Sequence, residues 1–412
     1  MNRLVILVLL IAAMDTHAQP AAPPDNPPGH VPAPPAGLDR ALADSLAANA
    51  VLTAGVGLID DGNLVWTGYY GEQEPGVPAS QKTRFNVASI TKTVTAETVL
   101  RLVGAGSLDL DAPLAPYWVD PDIANDPRRE QLTARMVLNH TSGFPNWRFF
   151  RRDGKLAFEN NPGVLYGYSG EGFEYLARAV ENKLRRPFPR LVETRLFEPL
   201  GMTASTLEIH REGLTNLARP VDERGVFPGY YCRPNGGCRK EGSYSAADDM
   251  IITVPDYARF LISVMNEAGY DSKLAAERNR VQADKGAERV VDCEAGDSAC
   301  PRSQGYGLGF EVIDHGDFKV VGHGGSDWSE LAIAYFYEPS KDAVIVFLNA
   351  PNRRALSAMP ELIALIDPHS PYLSHYRAWL AREVAKERSP GSRQPPQPAK
   401  QRILPVGAGS HP

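Results

Sequence analysis

The chain carries a hydroxyl and an amine three residues apart, at Ser89 and Lys92, in the pattern Ser-x-x-Lys. The pattern follows a loop and opens an apolar helix predicted over residues 90–103, so both side chains share one helical face. A serine hydroxyl needs a nearby base to become a good nucleophile, and a buried lysine near positive charge can be that base. The helix start also favours developing negative charge. The pattern predicts acyl transfer through Ser89; the alternative interpretation is a capping serine beside a solvated lysine.

Two further motifs place polar groups on loops beside predicted elements. Tyr168 and Gly170 belong to a Tyr-Ser-Gly-Glu-Gly run that leads into a helix predicted over residues 171–183. His323 opens a His-Gly-Gly-Ser run near the end of a predicted strand. Taken alone, the tyrosine could belong to the core and the histidine to an ordinary loop. Their meaning therefore depends on their order and separation relative to Ser89.

In this order and separation, the motifs resemble those of the serine β-lactamase and penicillin-binding-protein family, in which Ser-x-x-Lys holds the nucleophile. The class C β-lactamase, D-aminopeptidase, DD-peptidase and esterase branches are the most similar. Residues 138–144 (Leu-Asn-His-Thr-Ser-Gly-Phe) and 197–202 (Phe-Glu-Pro-Leu-Gly-Met) are similar to two further stretches of the family. The resemblance covers residues 38–351. It implies an acyl-enzyme hydrolase that needs no cofactor or metal and acts on small esters or amides, including D-amino-acid peptides or β-lactams.

The resemblance implies a role for each matching residue. Ser89 would attack the substrate carbonyl, Lys92 would take or relay its proton, and Tyr168 would pass a proton to the leaving group. Tyr166 is a rival for the last role, although the register of the motif favours Tyr168. His323 stands where many β-lactamases have the lysine of Lys-Thr-Gly and some peptidases have histidine. It can donate a hydrogen bond there and carry charge according to pH.

Small residues and one tryptophan complete the implied site. Gly324 and Gly325 would let the strand backbone approach the substrate closely. The backbone N–H groups of Ser89 and Ser326 would form the oxyanion hole. Trp328, two residues further along, either walls the acyl pocket or packs in the core.

Two departures from the family pattern concern the substrate. Gly170 stands where the family has an asparagine whose amide meets the amide group of the substrate, and glycine cannot make that contact. His323 replaces a lysine that would recognise a β-lactam carboxylate. Both departures lower the expectation of efficient β-lactam hydrolysis. A true class C-like β-lactamase, and a weakly active or non-catalytic exported binding protein with the same fold, are the alternatives.

The elements that must position these residues predict an α/β (α+β) fold, with strands at both chain ends and helices between them. Strand-like runs at 55–59 and 64–69 flank an Asp-Asp-Gly-Asn turn typical of a hairpin. Further strands are predicted at 308–313, 318–321, 331–337 and 343–348, and further helices at 38–48, 254–265 and 378–386. We expect a mixed, mainly antiparallel sheet flanked by helices, as in the β-lactamase/transpeptidase fold. Its sheet lobe is predicted over about 38–80 and 305–388, with a mostly helical lobe inserted over 81–304 and a cleft between the lobes.

The chain ends differ in composition from the body. Residues 1–18 combine Arg3, an apolar run too short to span a bilayer and small residues at a cleavage point, which is typical of a secretory signal peptide. Residues 19–37 are rich in proline and predict a linker, and residues 389–412 predict a disordered tail. The hydrolase domain is therefore expected over residues 38–388 of a periplasmic or secreted protein.

The four cysteines fit an oxidising compartment. Cys232 lies close to Cys238, and Cys293 close to Cys300, which favours two local disulfides. Three pairings stay open from sequence alone, and a four-cysteine metal site is the alternative. A net charge of −6 over 412 residues, without a basic stripe, argues against nucleic acid as a partner. The expected partner is a small ester or amide substrate.

Overall fold

The computed structural model describes residues 29–211, 214–293 and 300–388. The strands within these ranges are β1 (Thr53–Asp60), β2 (Asn63–Glu74), β3 (Val77–Pro78), β4 (Phe85–Asn86), β5 (Ile251–Ile252), β6 (Ser303–Tyr306), β7 (Glu311–Asp314), β8 (Lys319–Ser326), β9 (Glu330–Glu338) and β10 (Ala343–Asn349). Eight of them form one sheet in the order β3-β2-β1-β10-β9-β8-β7-β6, and β4 pairs with β5 separately. Neighbouring strands in the large sheet are antiparallel, as predicted.

The α-helices in the same ranges are α1 (Leu38–Ala48), α2 (Thr91–Gly104), α3 (Ala134–Leu138), α4 (Gly170–Leu184), α5 (Phe188–Val192), α6 (Glu198–Leu200), α7 (Val254–Met265), α8 (Ser272–Arg278), α9 (Asn352–Ile366) and α10 (Pro371–Arg388). The apolar spacing predicts the bounds of α1 and α7, and places those of α2 and α4 within one residue. Sequence reasoning missed α9, where Pro360 lies inside the helix and weakens a prediction from spacing.

The sheet is assembled from both ends of the chain, as expected. Strand β1 pairs with β2 through the predicted hairpin and with β10 on its other side, so that Val56 lies opposite both Gly68 and Val346. Strand β7 begins later than the predicted run at 308–313, because Gly309 adopts a φ of +86° and bends the chain. The bend brings the N–H of Gly309 within 2.8 Å of the carbonyl of Leu138.

Strands β9 and β10 are buried on both faces, and their alternating side chains serve two apolar clusters. Ile333 and Val346 belong to a cluster packed against α1, α9 and α10. Ala334 and Phe347 belong to a cluster packed against α2, α4 and α7. Because successive side chains of a strand point to opposite faces, the central sheet separates these two cores.

The chain ends are described only in part. Residues 29–37, the last part of the predicted linker, lie beside the sheet: Val31 is buried, and its N–H donates to Asp342 Oδ2 at 3.1 Å. The predicted signal peptide, the rest of the linker and the predicted tail at 389–412 fall outside the described residues. Among the helices that the structure describes, none has the length and apolar character needed to cross a bilayer.

Both cysteine pairs form local disulfides, as the spacing favoured. Cys232 is bonded to Cys238, and Cys293 is bonded to Cys300. The sulfur atoms are therefore consumed, and the four-cysteine metal site is wrong. Two disulfides indicate an oxidising compartment.

A buried ion pair ties α2 to α8. The guanidinium of Arg278 lies 3.0 Å from Glu97 Oε1, and both side chains are buried. The hydroxyl of Tyr270 donates to the same carboxylate at 2.7 Å, and Arg278 also donates to the carbonyl of Val264 at 3.1 Å. These hydrogen bonds offset the loss of hydration, but removing one partner would leave an unpaired buried charge. The pair therefore fixes the middle of the helix that begins beside Ser89.

We expect Arg278→Ala to lower the free energy of unfolding by about 3–5 kcal/mol, because Glu97 would stay buried without its partner. Denaturant unfolding followed by circular dichroism measures the loss. The double variant Glu97→Leu/Arg278→Met should lose less free energy of unfolding than Glu97→Leu and Arg278→Met lose together as single variants. In the double variant neither charge is left unpaired. Strictly additive losses would contradict this coupling.

Candidate active site

Ser89 lies on a short, tightly held turn. It is the middle residue of a 3₁₀ turn, Ala88–Ile90, that leads directly into α2. Ala88 has a φ of 46°, and its N–H donates to Asn86 Oδ1 at 2.9 Å. A left-handed conformation at a non-glycine residue is strained and persists only where surrounding contacts impose it.

Lys92 is fully buried one helical turn after Ser89. Its Nζ donates to Ser89 Oγ over 3.1 Å and to the carbonyl of Ala247 over 2.8 Å. The same nitrogen lies 4.8 Å from the centroid of the Tyr168 ring and 5.9 Å from that of Phe173. The amine is therefore within proton-transfer distance of the hydroxyl, and the Ala247 carbonyl orients it.

Tyr168, rather than Tyr166, faces this pair. The ring of Tyr168 lies beside Lys92 and 6.2 Å from the ring of His323, measured between centroids. The hydroxyl of Tyr166 is buried without a hydrogen-bond partner, and burial raises its pKa far above the usual value. A phenol in that environment keeps its proton, so the geometry favours Tyr168 for proton transfer.

The start of α4 fixes the position of Tyr168. Ser169 caps the helix: its Oγ accepts from the N–H of Gly172 at 3.0 Å and donates to the carbonyl of Pro145 at 2.8 Å. The N–H of Ser169 donates to Nδ1 of the buried His140 at 3.1 Å. A capping serine that makes three hydrogen bonds leaves its neighbour Tyr168 little freedom.

Strand β8 approaches the Ser89 turn closely because residue 325 is glycine. A Cβ at Gly325 would lie 2.2 Å from the carbonyl oxygen of Val87 and 3.2 Å from the nitrogen of Ser89. Gly324 has more room, since the nearest atom to a Cβ there would be the hydroxyl oxygen of Tyr376, at 3.4 Å. The close approach expected of these glycines thus depends on Gly325.

His323 is buried between Lys92 and the aromatic side chains of the site. Its Nδ1 bonds the carbonyl of Gly324 and so carries the proton, while Nε2 is buried without a partner. Burial, helped by the positive charge of Lys92, lowers the pKa of His323 to about 4. The imidazole is therefore neutral at neutral pH, with a lone pair at Nε2. That His323 donates a hydrogen bond to a substrate stays a prediction from the sequence.

Ser326 and Trp328 lie at the end of β8. Ser326 is exposed and its hydroxyl accepts from Asn352 Nδ2 at 2.7 Å. Ser326 and Ser89 line the same cavity, and their pairing as an oxyanion hole stays a prediction from the sequence. Trp328 is half-buried and, among the described residues, is not part of that lining.

Sequence reasoning missed two ionisable residues of the site. His140 is buried in a left-handed conformation, with ring centroids 4.4 Å from Tyr168 and 4.5 Å from Tyr306, and burial lowers its pKa well below 6.5. It lies in the stretch 138–144 that resembles the family, which was a usable signal. Asp248 lines the cavity, and burial beside Asp249 raises the pKa of its carboxyl group. No motif pointed to Asp248.

Two arginines lie in or directly after a disulfide loop, and one of them, Arg233, lines the same cavity as Ser89. Within the loop closed by Cys232–Cys238, Arg233 lies 3.4 Å from Asp327. Directly after the loop, Nε of Arg239 donates to Asp249 Oδ2 at 2.7 Å. The loop and the residue after it thus place positive charge on Asp327, which follows β8, and on Asp249.

A cavity of about 1300 Å³ opens at Ser89. Tyr168 and His323 line it, and so does the C-terminal helix α10. The large aromatic side chains in its walls are Trp147, Phe149, Phe150, Tyr166, Tyr372, Tyr376 and Trp379. Within the described ranges, no three histidine, cysteine or acidic side chains are grouped to hold a metal ion.

Comparison with known proteins places this geometry in context. A protein-family model described as Beta-lactamase matches residues 38–367. The matched range contains Ser89, Lys92, Tyr168 and His323, whereas α10 follows it.

Individual relatives are distant, and the chain spans less than two thirds of the length of AmpH. The D-alanyl-D-alanine-carboxypeptidase/endopeptidase AmpH of Escherichia coli K12 is 26% identical over 245 residues, which is 53% of this chain and 61% of AmpH. Esterase EstB of Burkholderia gladioli is 26% identical over 297 residues, 58% of this chain and 69% of the esterase. The octameric penicillin-binding protein homologue from Pyrococcus abyssi superposes with a TM-score of 0.63 at 21% identity, covering 84% of this chain and 81% of that one. The last comparison confirms the predicted fold.

The buried His323 should make stability fall in mild acid. Its pKa is about 4 in the folded chain against 6.5 for an ordinary histidine, so the unfolded chain binds the proton first as pH falls. Stability that is fully present above pH 6.5 is therefore lost between about pH 6.5 and 4. We expect the melting temperature of His323→Gln to fall less over this range than that of the parent protein.

Buried carboxyl groups with raised pKa values, such as those of Asp248 and Glu330, act in the opposite direction. The test is therefore the difference between parent and variant, measured by thermal unfolding at pH 7 and pH 4.5. His210→Gln, a change at an exposed histidine, serves as the control. Parallel pH profiles for the parent and His323→Gln would refute the assignment.

Gly325→Ala should separate β8 from the Ser89 turn. The added Cβ would overlap the carbonyl of Val87, so we expect a loss of about 1–3 kcal/mol in the free energy of unfolding. Gly324→Ala is the matched control, because its Cβ would make only an ordinary contact. Denaturant titration compares the two variants, and equal losses would show that the close approach does not depend on Gly325.

Proposed function

The chain belongs to the β-lactamase family of serine hydrolases, and from that premise we propose that it is an exported hydrolase that forms an acyl-enzyme on Ser89. The observation that carries the proposal is the 3.1 Å contact between Ser89 Oγ and the fully buried Nζ of Lys92. Relatives named as an esterase and as a carboxypeptidase/endopeptidase support small esters and amides, including D-amino-acid peptides, as the substrate class.

The proposed reaction has two acyl-transfer steps. Ser89 Oγ bonds to the substrate carbonyl carbon while Lys92 Nζ takes the hydroxyl proton. The backbone N–H groups of Ser89 and Ser326 hold the oxyanion of the tetrahedral intermediate. The bond to the leaving group then breaks, and that group takes a proton from the hydroxyl of Tyr168. Tyr168 regains a proton from Lys92 Nζ, so both residues return to their starting protonation states.

In the second step water bonds to the acyl carbon and gives a proton to Lys92 Nζ. The bond to Ser89 Oγ then breaks, the carboxylic acid leaves, and Lys92 Nζ returns the proton to Ser89 Oγ.

The neutral state of His323 bears on the choice of substrate. A lysine at this position would present a positive charge to a substrate carboxylate, whereas an imidazole with a pKa of about 4 presents none near pH 7. Gly170 also leaves the site without the asparagine amide that the family pattern places there. We therefore propose esters and simple amides ahead of β-lactams. The class C-like β-lactamase is the second candidate, and the non-catalytic binding protein is the third.

Export is proposed from two independent features. The two disulfides suit an oxidising compartment such as a bacterial periplasm. The sequence of residues 1–18 fits a signal peptide that would be removed there.

Ser89→Ala should abolish turnover of p-nitrophenyl butyrate. We expect kcat to fall by at least about 10³-fold, because no other group replaces the nucleophile. Ser272→Ala, at an exposed serine on α8, is the control and should keep the parent rate. Mass spectrometry of quenched parent protein should show an acyl adduct on the peptide that contains Ser89.

Equal rates in the parent protein and Ser89→Ala would sink the nucleophile assignment. A chromogenic cephalosporin supplies the second comparison. If the parent protein cleaves the cephalosporin faster than the ester, a class C-like β-lactamase replaces the hydrolase of esters and simple amides. If neither substrate reacts and no adduct forms, the non-catalytic candidate is favoured.

A further inference from the structure

The space beside Gly170 is filled by the indole of Trp147. A Cβ at residue 170 would lie 2.5 Å from Cη2 and Cζ2 of Trp147, closer than any normal contact. Residue 170 therefore has no room for a side chain while the indole stays in place. Because Trp147 also lines the cavity at Ser89, an aromatic surface stands where a polar side chain was expected.

Trp147 belongs to a group of three contacting aromatic rings. The rings of Trp147 and Phe149 are stacked, with centroids 5.6 Å apart and planes 15° from parallel. The ring of Phe150 packs edge-on against Phe149 at 4.6 Å. Phe149 is 56% exposed and Phe150 is 73% exposed, although both line the cavity. Such exposed aromatic rings in a cavity wall mark a binding surface for an apolar group.

The segment that carries these rings is anchored despite its exposure. The backbone N–H of Arg148 donates to Glu171 Oε1 at 2.8 Å, and its guanidinium donates to Glu171 Oε2 at 2.9 Å and to Asp120 Oδ2 at 2.7 Å. Asn146 Oδ1 accepts from the N–H of Gly170 at 3.0 Å. These bonds fasten the segment to the start of α4, so the rings are held in place before any substrate binds.

We propose that Trp147, Phe149 and Phe150 form a specificity subsite that takes an aryl or medium-length alkyl group of the substrate. This subsite rests on the proposed function, because it serves the cavity in which Ser89 reacts. Burial of several methylene groups against the three rings raises kcat/KM for long or aromatic substrates over short ones. Gly170 contributes to the same subsite, because the absence of a side chain at this residue leaves room for the indole of Trp147.

The test compares p-nitrophenyl acetate with p-nitrophenyl hexanoate, and ethyl acetate with benzyl acetate. The first pair varies the acyl group and the second varies the leaving group. The parent protein should prefer the larger member of at least one pair. Trp147→Ala should reduce kcat/KM for that member by about 10- to 100-fold and change the smaller member by less than about threefold.

Gly170→Ala reaches the same subsite without removing a ring. Its Cβ would push the indole away, so it should lose the same preference as Trp147→Ala. Gly167→Ala is the matched control in the same loop, because a Cβ there would meet nothing within 4 Å, and it should keep the parent preference. Equal melting temperatures would show that the variants are folded.

A binding measurement separates this proposal from the proposed function. In Ser89→Ala protein, calorimetry with p-nitrophenyl hexanoate should show binding that weakens about 10-fold or more when Trp147→Ala is added. Trp147-dependent binding without turnover in the parent protein would support the subsite and count against the hydrolase. Binding and substrate preference that are both unchanged by Trp147→Ala and Gly170→Ala would overturn the subsite, even if Ser89 proves to be the nucleophile.

Discussion

The site depends on holding the amine of Lys92 inside the protein, 3.1 Å from the hydroxyl of Ser89. The amine of Lys92 donates to the hydroxyl of Ser89 and to the carbonyl of Ala247, and the ring of Tyr168 lies over it. A buried amine must have such partners, because removal from water is costly without them. The cap of α4 keeps Tyr168 in place, and Glu174 on the same helix accepts from Ser245 Oγ and from the N–H of Ala246, which fixes the chain beside Ala247.

The approach of β8 is the second constraint, and it connects the sheet to the chemistry. Strand β8 packs into both cores through Val320 and Val321, which face opposite sides of the sheet and hold the strand in place. Gly325 lets that rigid edge lie against the Ser89 turn with no side chain between them. As a result, His323 and Ser326 are positioned by a strand whose Val320 and Val321 are packed in the two cores.

Much of the fold was predictable because apolar spacing and turn residues are local features of the sequence. Apolar spacing marked α1, α2, α4 and α7, and the hairpin turn marked β1 and β2. The residues around Ser89 were predictable where a motif carried them, as at Lys92 and Tyr168. Asp248 was not, since only tertiary packing brings it to the cavity. Gly170 departs visibly from the family motif in the sequence. Its close contact with the indole of Trp147 is tertiary, and no local sequence pattern reveals it.

The partners of Lys92 come from distant parts of the chain: the carbonyl of Ala247 is 155 residues further on. Ser89 and Lys92 are made early, whereas Gly325 is made late, so long loops must close before the reactive arrangement exists. A ribosome-bound chain that has not yet reached β8 therefore carries an ordinary serine. The reactive arrangement is therefore a property of the completed fold and not of the Ser89–Lys92 pair alone.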